Sequence, residues 1–333
     1  MPTQTEKTSS TICKVIRAPK LTSLAKYFIQ EPTEASFSKR IESIEAVPET
    51  YRDFFNSNLT HGAQFPYTIL MPPHNGYMVR SAEKLLVNIG SEIHILERKV
   101  TSFDGRCHPI AEIDYVEVRA VLLDSSIKIT GMTTAGLLAT SIIHFNSVTE
   151  FLFTPILKKI RGFEADPNSI ALKTERQKFD KWQGSSFKFM NFARSSLLGS
   201  ERVVYFVLQP EIRTAGIKIF GVTYSKTISP AHAAILTDRE LIMIREEVRH
   251  AGEDRYGGIW DYIPLHKIVD LSLHEKDEKL LALTILLPHE VSLEFLYQLS
   301  AREELEKLLS HFKSMTAEER RASKLQNGTN PVI

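Results

Sequence analysis

The sequence predicts an α+β protein built from two tandem barrels, each of about seven antiparallel strands followed by one helix. Two observations predict this arrangement: a pattern of apolar residues and turns that occurs twice along the chain, and an amphipathic helix that ends each occurrence. The length agrees, because 333 residues suffice for two domains at roughly 150 residues each. We therefore expect two similar units, preceded and joined by helical segments.

The repeat is clearest around two prolines, Pro109 and Pro264, which are followed by apolar residues at the same four spacings. The matching residues are Ile110, Ile113, Val116 and Val118 in the first copy and Leu265, Ile268, Leu271 and Leu273 in the second. Similar blocks precede and follow these segments, and the spacing between blocks changes only where loops would differ in length. A pattern that recurs in this way indicates repeated structural units.

Short strands precede the helix in each copy. In the second copy, residues 235–244 predict two strands joined by a tight turn, and further strands are predicted at 202–209, 261–273, 280–287 and 291–296. The first copy has a similar number, from 67–71 to 139–145. In residues 261–273 apolar and polar residues alternate, which is typical of strands with one buried face.

Each copy ends at a capping box, in which a hydroxyl and a carboxylate satisfy free amides at a helix start. The two boxes are Ser147 with Glu150 and Ser300 with Glu303. In the first of these helices, Pro155 predicts a kink and Gly162 predicts the end. The second helix has an apolar face formed by Leu305, Leu308, Leu309 and Phe312.

The remaining segments divide into helices and tails. The predicted boundaries are a disordered tail at 1–20, a helical N-terminal segment at 21–63, the first copy at 64–165, a helical linker at 166–199, the second copy at 200–315 and a disordered tail at 316–333. Pro48 fits the first turn of a helix that runs to about Leu59, and Ser186 is suited to cap a helix in the linker. The linker contains so many aromatic residues that we expect it to pack against a barrel.

The second copy, about residues 201–314, resembles a known family. Its residues 234–244, Ala-Ile-Leu-Thr-Asp-Arg-Glu-Leu-Ile-Met-Ile, are similar to the strand-turn-strand segment of bacterial pleckstrin-homology and GRAM-type domains. Residues 263–268 are similar to the next strand entry of these domains. The first copy, about 64–161, is related to the family through the second. The resemblance implies two copies of the pleckstrin-homology-like superfold, with seven antiparallel strands and a C-terminal helix each.

The resemblance also implies where a ligand would bind. In pleckstrin-homology domains, the loop between the first two strands commonly gathers cations around an anionic headgroup. That loop corresponds here to residues 210–231, in which Arg213, Lys218 and Lys226 are the candidate ligand-binding residues and Glu211 is the one acid. Phosphoinositide pockets have a tighter set of Lys and Arg, so a solvated loop is the alternative. Each cation near an anionic membrane contributes about 1 kcal/mol, which allows reversible attachment only.

Charge and composition narrow the classes of function. The chain has 41 Lys and Arg against 40 Asp and Glu, a net charge of +1, whereas a general nucleic-acid binder needs a cationic surface. We therefore expect no nucleic-acid partner. The two cysteines, Cys13 and Cys107, exclude a disulfide framework and lack the spacing of zinc ligands. No apolar run matches a signal peptide or a membrane span, which predicts a cytoplasmic protein without a transmembrane segment.

Two clusters of reactive groups have structural alternatives. The side chains of His250, Glu253 and Asp254 are of the types that bind metal ions or exchange protons, but a solvated hairpin tip accounts for them as well. Cys107 lies beside His108, which suggests a nucleophile and its base. However, neighbouring residues on a strand point to opposite faces, so these two side chains are not expected to meet.

An aromatic cluster in the linker is formed by Phe187, Phe189 and Phe192, with Lys188 and Arg194 interleaved. It fits a membrane wedge or a platform for stacking single-stranded nucleic acid. A helix that packs its apolar side on a barrel explains the same residues, and the net charge supports neither of the other readings.

The function expected from these observations is non-catalytic binding or scaffolding. No group of residues has catalytic spacing, and the sequence predicts no cofactor and no metal ligand. The expected partner is another protein or a second copy of the chain, bound through a barrel edge. The alternatives are peripheral attachment to anionic lipid through Arg213, Lys218 and Lys226, and a metal-dependent enzyme built on His250.

Overall fold

The computed structural model describes residues 36–60, 62–75, 80–121, 123–162, 170–214, 217–219, 222–224, 226–247 and 257–327. The predicted α+β class is confirmed, with mostly antiparallel sheets and a C-terminal helix. The first described elements are strand β1 (Lys39–Ile41) and helix α1 (Glu49–Asn58). Strand β1 was not predicted, because the whole N-terminal segment was expected to be helical.

The first unit contains strands β2 to β10 and ends with a short helix. Its elements are β2 (Tyr67–Met71), β3 (His74–Asn75), β4 (Arg80–Ser81), β5 (Lys84–Ile89), β6 (Glu92–Arg98), β7 (Phe103–Pro109), β8 (Ile113–Ala120), β9 (Ser125–Met132), β10 (Leu138–Phe145) and α2 (Thr154–Ile160). The linker follows with α3 (Ile170–Gln177), a 3-10 turn at Lys178–Trp182 and α4 (Phe187–Ser196).

The second unit repeats the order of the first. Its elements are β11 (Val203–Gln209), β12 (Ile212–Arg213), β13 (Ile217–Ile219), β14 (Val222–Tyr224), β15 (Thr227–Ser229), β16 (His232–Thr237), β17 (Glu240–Arg245), β18 (Gly258–Pro264), β19 (Asp270–Glu275), β20 (Leu280–Leu286), β21 (Ser292–Gln298) and α5 (Arg302–Asn327). In both units a hairpin insertion follows the first strand, six longer strands come next, and a helix ends the unit.

The strands form open sheets, so the predicted closed barrels are wrong. Among the described residues, β1-β2-β5-β6-β7 form one sheet and β19-β20-β21 another. The third large sheet has the order β10-β9-β8-β18-β17-β16-β11 and therefore contains strands of both units. The two units meet where β8 pairs with β18 in antiparallel register, from Gly258 opposite Ala120 to Tyr262 opposite Val116.

The seven-stranded sheet is buried on both faces in its centre. Ile235 and Ile242 pack into a core shared with the first unit and the linker, whereas Leu236 and Leu241 pack into the core of the second unit. Alternate residues of a strand point to opposite faces, so a strand between two cores must be apolar at every position. This explains the uninterrupted apolar runs at 233–236 and 241–244.

A separate core covers the outer face of the five-stranded sheet. Helix α1 places Tyr51 and Phe55 on Leu85 and Val87, and all four side chains are buried. The predicted helix after Pro48 is confirmed, and it closes this face of the first unit.

The repeated prolines form the same corner in both units. Pro109 and Pro264 have nearly identical backbone angles, and a 3-10 turn begins directly after each of them. The predicted single strand at 261–273 is therefore wrong, because the turn at Leu265–Lys267 divides it into β18 and β19.

The helices differ from their predicted ends. The cap at 147 is wrong, because the Asn146 side chain accepts from the Val148 amide and begins a 3-10 turn, while the Ser147 hydroxyl accepts from the Leu123 amide. Pro155 lies in the first turn of α2 and not in its middle, so no kink arises. Helix α5 continues to Asn327, into the segment 316–333 that was predicted to be disordered.

The linker helices pack as expected. The Ser186 hydroxyl accepts from the Phe189 amide and caps α4. Phe179 and Trp182 lie buried against Phe206 of β11, with ring centroids 4.8 and 4.9 Å away. The linker therefore belongs to the shared core of the two units.

Candidate functional site

Glu92, His94 and Cys107 lie together on the outer face of the five-stranded sheet. Strands β6 and β7 are antiparallel neighbours whose register places His94 directly opposite Cys107. Glu92 precedes His94 by two residues and therefore lies on the same face of β6. The Nε2 atom of His94 lies 3.1 Å from Glu92 Oε2 and 3.8 Å from Cys107 Sγ. The three ligand atoms all lie within 4.8 Å of one another.

The surroundings favour the uncharged forms of the thiol and the imidazole. Burial raises the pKa of the Cys107 thiol to about 11, although a hydrogen bond with Thr134 acts in the opposite direction. Burial also lowers the pKa of His94, against the opposing effect of the Glu92 carboxylate. The reactive form of a cysteine is the thiolate, whereas these surroundings favour the thiol.

A pocket of about 400 Å³ is lined by two of these residues, His94 and Cys107. Its apolar lining includes Phe54 of α1, Leu96 and Phe103 of the sheet, and Leu137 of the turn between β9 and β10. The Phe54 ring contacts the His94 ring edge-on, with centroids 5.1 Å apart. The turn is held in place because the Thr134 amide donates to the Cys107 carbonyl at 3.0 Å.

A second pocket of about 400 Å³ lies on the second unit, between the start of β16 and the start of β21. His232 contributes to its lining and is 1% exposed. Its Nδ1 donates to the Pro230 carbonyl at 2.9 Å, and its Nε2 has no hydrogen-bond partner among the described residues. Burial lowers the pKa of His232 to about 4, so the ring is neutral at physiological pH. A neutral ring that donates from Nδ1 offers Nε2 as an acceptor.

The three predicted cations lie on one hairpin insertion of the second unit. Arg213 ends β12, Lys218 lies on β13 opposite Thr223, and the Lys226 carbonyl accepts from the Thr214 amide at 2.8 Å. The Arg213 guanidinium pairs with the Glu211 carboxylate at 2.6 Å. The same carboxylate accepts from the Thr227 hydroxyl, so one of the three charges is balanced within the hairpin itself.

Neither of the two clusters of reactive groups that the sequence suggested forms a site among the described residues. His250, Glu253 and Asp254 lie outside the described residues. His108 points away from Cys107, as expected for strand neighbours, and its Nε2 lies 2.9 Å from the Ser141 hydroxyl oxygen in the interior.

The aromatic residues of the linker mostly face inward. Phe189 is buried, and Phe192 packs edge-on against Trp260 with ring centroids 4.8 Å apart, whereas Phe187 is 61% exposed. Lys188 pairs with Glu246 at 3.0 Å, and Arg194 pairs with Asp180. Packing on the sheet therefore accounts for two of the three aromatic rings, and ion pairs account for both cations.

Sequence reasoning missed Glu92 and His94 as members of a site. The segment 97–108 was interpreted as a loop between two blocks of the repeat, and it contains Asp104 and Gly105, residue types that strands disfavour. The signal that identifies the site is the hairpin register. Once Arg98 is paired with Phe103, each step back along β6 matches a step forward along β7, and His94 then meets Cys107.

Comparison with known proteins gives no relative from which a function can be carried over. No family model matches the chain, and no curated protein matches it. Among the described residues, no helix is both long and apolar enough to cross a membrane.

Proposed function

We propose that this chain is a cytoplasmic, non-catalytic binding and scaffolding protein built on two pleckstrin-homology-like units of fixed relative position. The observation that carries the proposal is the pairing of β8 with β18, which makes one sheet out of strands from both units. Two domains joined only by a linker move relative to each other, but a shared sheet and a shared core prevent this. Such a body presents its two binding surfaces at a constant separation and orientation.

Ion pairs across the junction support a fixed arrangement. Arg245 of the second unit donates to Glu117 of the first at 2.6 Å, and Arg119 of the first donates to Glu247 of the second at 2.7 Å. These side chains are partly shielded from solvent, where pairs are less screened by salt than on an open surface. Pairs of this kind help to fix the relative orientation of the two units, in addition to the apolar contacts of the shared core.

The pockets are better candidate binding surfaces than the edge of β10. Along this edge, the Thr140 carbonyl accepts from Arg106 at 2.7 Å and the Ile142 carbonyl accepts from Lys84 at 2.6 Å. Cationic side chains on an edge strand block the addition of a further strand. The two pockets of about 400 Å³, by contrast, combine apolar side chains with a few polar groups, which suits side chains of a protein partner.

A capture experiment with full-length protein as bait tests this proposal. Leu137 and Ile228 are exposed residues at the two pockets, so Leu137→Asp and Ile228→Asp change the surface without emptying the core. We expect each to reduce partner retention about tenfold or more, because an apolar contact in a pocket typically contributes over 1 kcal/mol to binding. Val100→Asp is the matched control, since Val100 is 97% exposed and lies in a loop outside both pockets.

Light scattering over a dilution series tests self-association in the same preparations. A chain that stays monomeric and retains no partner contradicts the proposal. Equal retention by the pocket variants and the Val100→Asp control would contradict the assignment of the surfaces.

The second candidate function is peripheral binding to anionic lipid through Arg213, Lys218 and Lys226. It is favoured by the position of all three on the single hairpin insertion at 212–229, although Arg213 is already paired with Glu211. Flotation with vesicles that contain phosphatidylserine distinguishes it from protein binding. If the hairpin attaches the chain, reversing the three charges abolishes flotation, whereas binding that survives the reversal excludes this function.

A further inference from the structure

We propose that Glu92, His94 and Cys107 form a Zn²⁺ site whose remaining coordination position opens into the adjoining pocket. This inference goes beyond the binding role proposed above and does not depend on it. The sequence predicted no metal ligand, because the three residues come from two strands and match no spacing typical of zinc motifs.

The distances between the side chains suit one tetrahedral ion. Zinc lies about 2.0–2.1 Å from imidazole nitrogen and carboxylate oxygen and about 2.3 Å from thiolate sulfur. A tetrahedron with these bond lengths separates nitrogen and oxygen by about 3.3 Å and nitrogen and sulfur by about 3.6 Å. The observed separations from His94 Nε2 are 3.1 Å to Glu92 Oε2 and 3.8 Å to Cys107 Sγ. Both separations from His94 are therefore within a few tenths of an ångström of the tetrahedral values, and the remaining pair, the Glu92 oxygen and Cys107 Sγ, lies within 4.8 Å.

The chemistry of the three atoms also indicates a cation. Carboxylate oxygen, imidazole nitrogen and thiolate sulfur are electron-pair donors, and here the three side chains converge. Cys107 would bind as the thiolate, so Zn²⁺ binding releases the thiol proton. A single ring nitrogen cannot donate a proton to Glu92 and accept one from Cys107 at the same time. Zn²⁺ satisfies all three together, and a set of one sulfur, one nitrogen and one oxygen ligand is of the borderline-soft kind that it prefers.

The supporting residues hold the ligands in place. All three ligands lie on neighbouring hydrogen-bonded strands, which position side chains more accurately than loops do. Phe54 packs against the His94 ring, and Thr134 forms a hydrogen bond with the Cys107 thiol. Such contacts around a metal site fix the orientation of the ligands.

The fourth position is open to an exogenous ligand. Three protein ligands leave one tetrahedral position for water or an exogenous group, as in zinc sites that are open to a ligand. The adjoining pocket has mixed walls, with Phe54 and Phe103 beside Asp104 and Arg106.

Metal loading of the full chain tests the site. After incubation with Zn²⁺ and gel filtration, elemental analysis should give one Zn²⁺ per chain, and the Co²⁺-loaded protein should show thiolate-to-cobalt charge-transfer absorption. Cys107→Ser should remove this absorption and weaken Zn²⁺ binding by more than about 100-fold, because loss of a direct ligand exceeds the 10–100-fold effect of a supporting contact. His94→Gln and Glu92→Gln should weaken it as well.

Matched controls separate this site from others in the chain. Cys13→Ser removes the other cysteine and should leave the absorption unchanged, and His250→Gln should do the same for the cluster at 250–254. Absorption that survives in Cys107→Ser, or that is lost in Cys13→Ser, overturns the proposal. Absence of stoichiometric metal in the folded wild-type chain overturns it too.

A second measurement does not require a variant at the site to fold. In the Cys13→Ser background, Cys107 is the only thiol, and Zn²⁺ should slow its alkylation by a maleimide at least tenfold. Mg²⁺, which prefers oxygen ligands, should not protect it. An alkylation rate that Zn²⁺ leaves unchanged overturns the proposal.

Discussion

Arg161 occupies a buried position at the boundary between the units, where two carboxylates face it. Its Nε donates to Glu240 at 3.0 Å, its Nη2 donates to the Ser196 carbonyl at 2.9 Å, and Glu201 lies 3.7 Å away. The guanidinium also stacks on the Tyr262 ring at 3.8 Å. One cation is shared by two acids, so burial and the charge of Glu240 raise the pKa of Glu201 to about 8.

This shared cation predicts how stability depends on pH. The folded protein retains the Glu201 proton up to about pH 8, whereas the unfolded chain loses it above about pH 4.5. At this site the unfolded state therefore binds fewer protons between these values, so Glu201 contributes a fall in the free energy of unfolding of roughly 1 kcal/mol per pH unit as pH rises. Below about pH 6.5 His232 acts in the opposite direction, because burial lowers its pKa to about 4. Glu201→Gln resembles the protonated form and should flatten this slope. Urea unfolding at pH 5, 6, 7 and 8 measures it.

The slope should be reduced and not abolished, because Asp261 contributes with the same sign. Burial raises the pKa of Asp261 to about 7, although Arg245 acts in the opposite direction. Glu278→Gln is the matched control, since Glu278 is exposed and its replacement should leave the wild-type slope. If the slope is the same in Glu201→Gln as in this control, Glu201 does not hold its proton in the folded state.

At the scale of elements, the join between β8 and β18 depends on one glycine. Gly257 precedes β18 with a φ of +115°, and a Cβ at this position would lie 2.2 Å from the Ala120 carbonyl oxygen. The backbone of Ala120 cannot move away, because Ala120 pairs with Gly258 in the sheet. We therefore expect Gly257→Ala to lower the free energy of unfolding by about 1–3 kcal/mol for its backbone angles, and further for the steric overlap.

A second glycine separates these two effects. Gly136 has a φ of +72° in the turn between β9 and β10, and a Cβ there would meet no atom within 4 Å. Gly136→Ala should therefore cost only the backbone term of about 1–2 kcal/mol. Chemical denaturation of both variants measures the difference. Equal losses would show that the close approach of Gly257 to Ala120 does not stabilise the junction.

The elements that sequence predicted well are those specified by local chemistry. The start of α1 after Pro48 and the cap of α4 by Ser186 each depend on residues within one turn. The elements that were missed depend on distant partners. Strand β7 has a composition that disfavours strands and is held by its neighbour β6, and β1 is paired with β2, where Arg40 lies opposite Ile69.

The candidate site likewise has one feature that local sequence specifies and others that depend on distant partners. Cys107 and His108 were correctly placed on opposite faces, because strand alternation is local. The partner of Cys107 could not be identified without the strand that was interpreted as a loop. The pairing of β8 with β18 could likewise not be predicted from the sequence, since several edge strands of similar apolar pattern were equally suitable partners.

At the scale of the whole molecule, the chain has a net charge of only +1 but contains many charged side chains that form ion pairs. Several of the cations and acids that balance in the composition also meet across the junction, as Arg119 with Glu247, Arg245 with Glu117 and Arg161 with Glu240. The small net charge therefore goes together with ion pairs between the units and with a weak external field. This favours partner recognition by shape and apolar contact over long-range electrostatic attraction.

The shared sheet and the shared core predict that both units unfold in one transition. The core that contains Ile69 and Ile129 of the first unit also contains Ile235 and Trp260 of the second, so neither unit can unfold without exposing the apolar surface of the other. Differential scanning calorimetry should give a calorimetric enthalpy equal to the van't Hoff enthalpy for the whole chain. Two resolved transitions would mean that the units are independent. Residues 200–327 alone would leave the edge of β18 unpaired, and we expect that fragment to associate in light scattering while the full chain unfolds as one body.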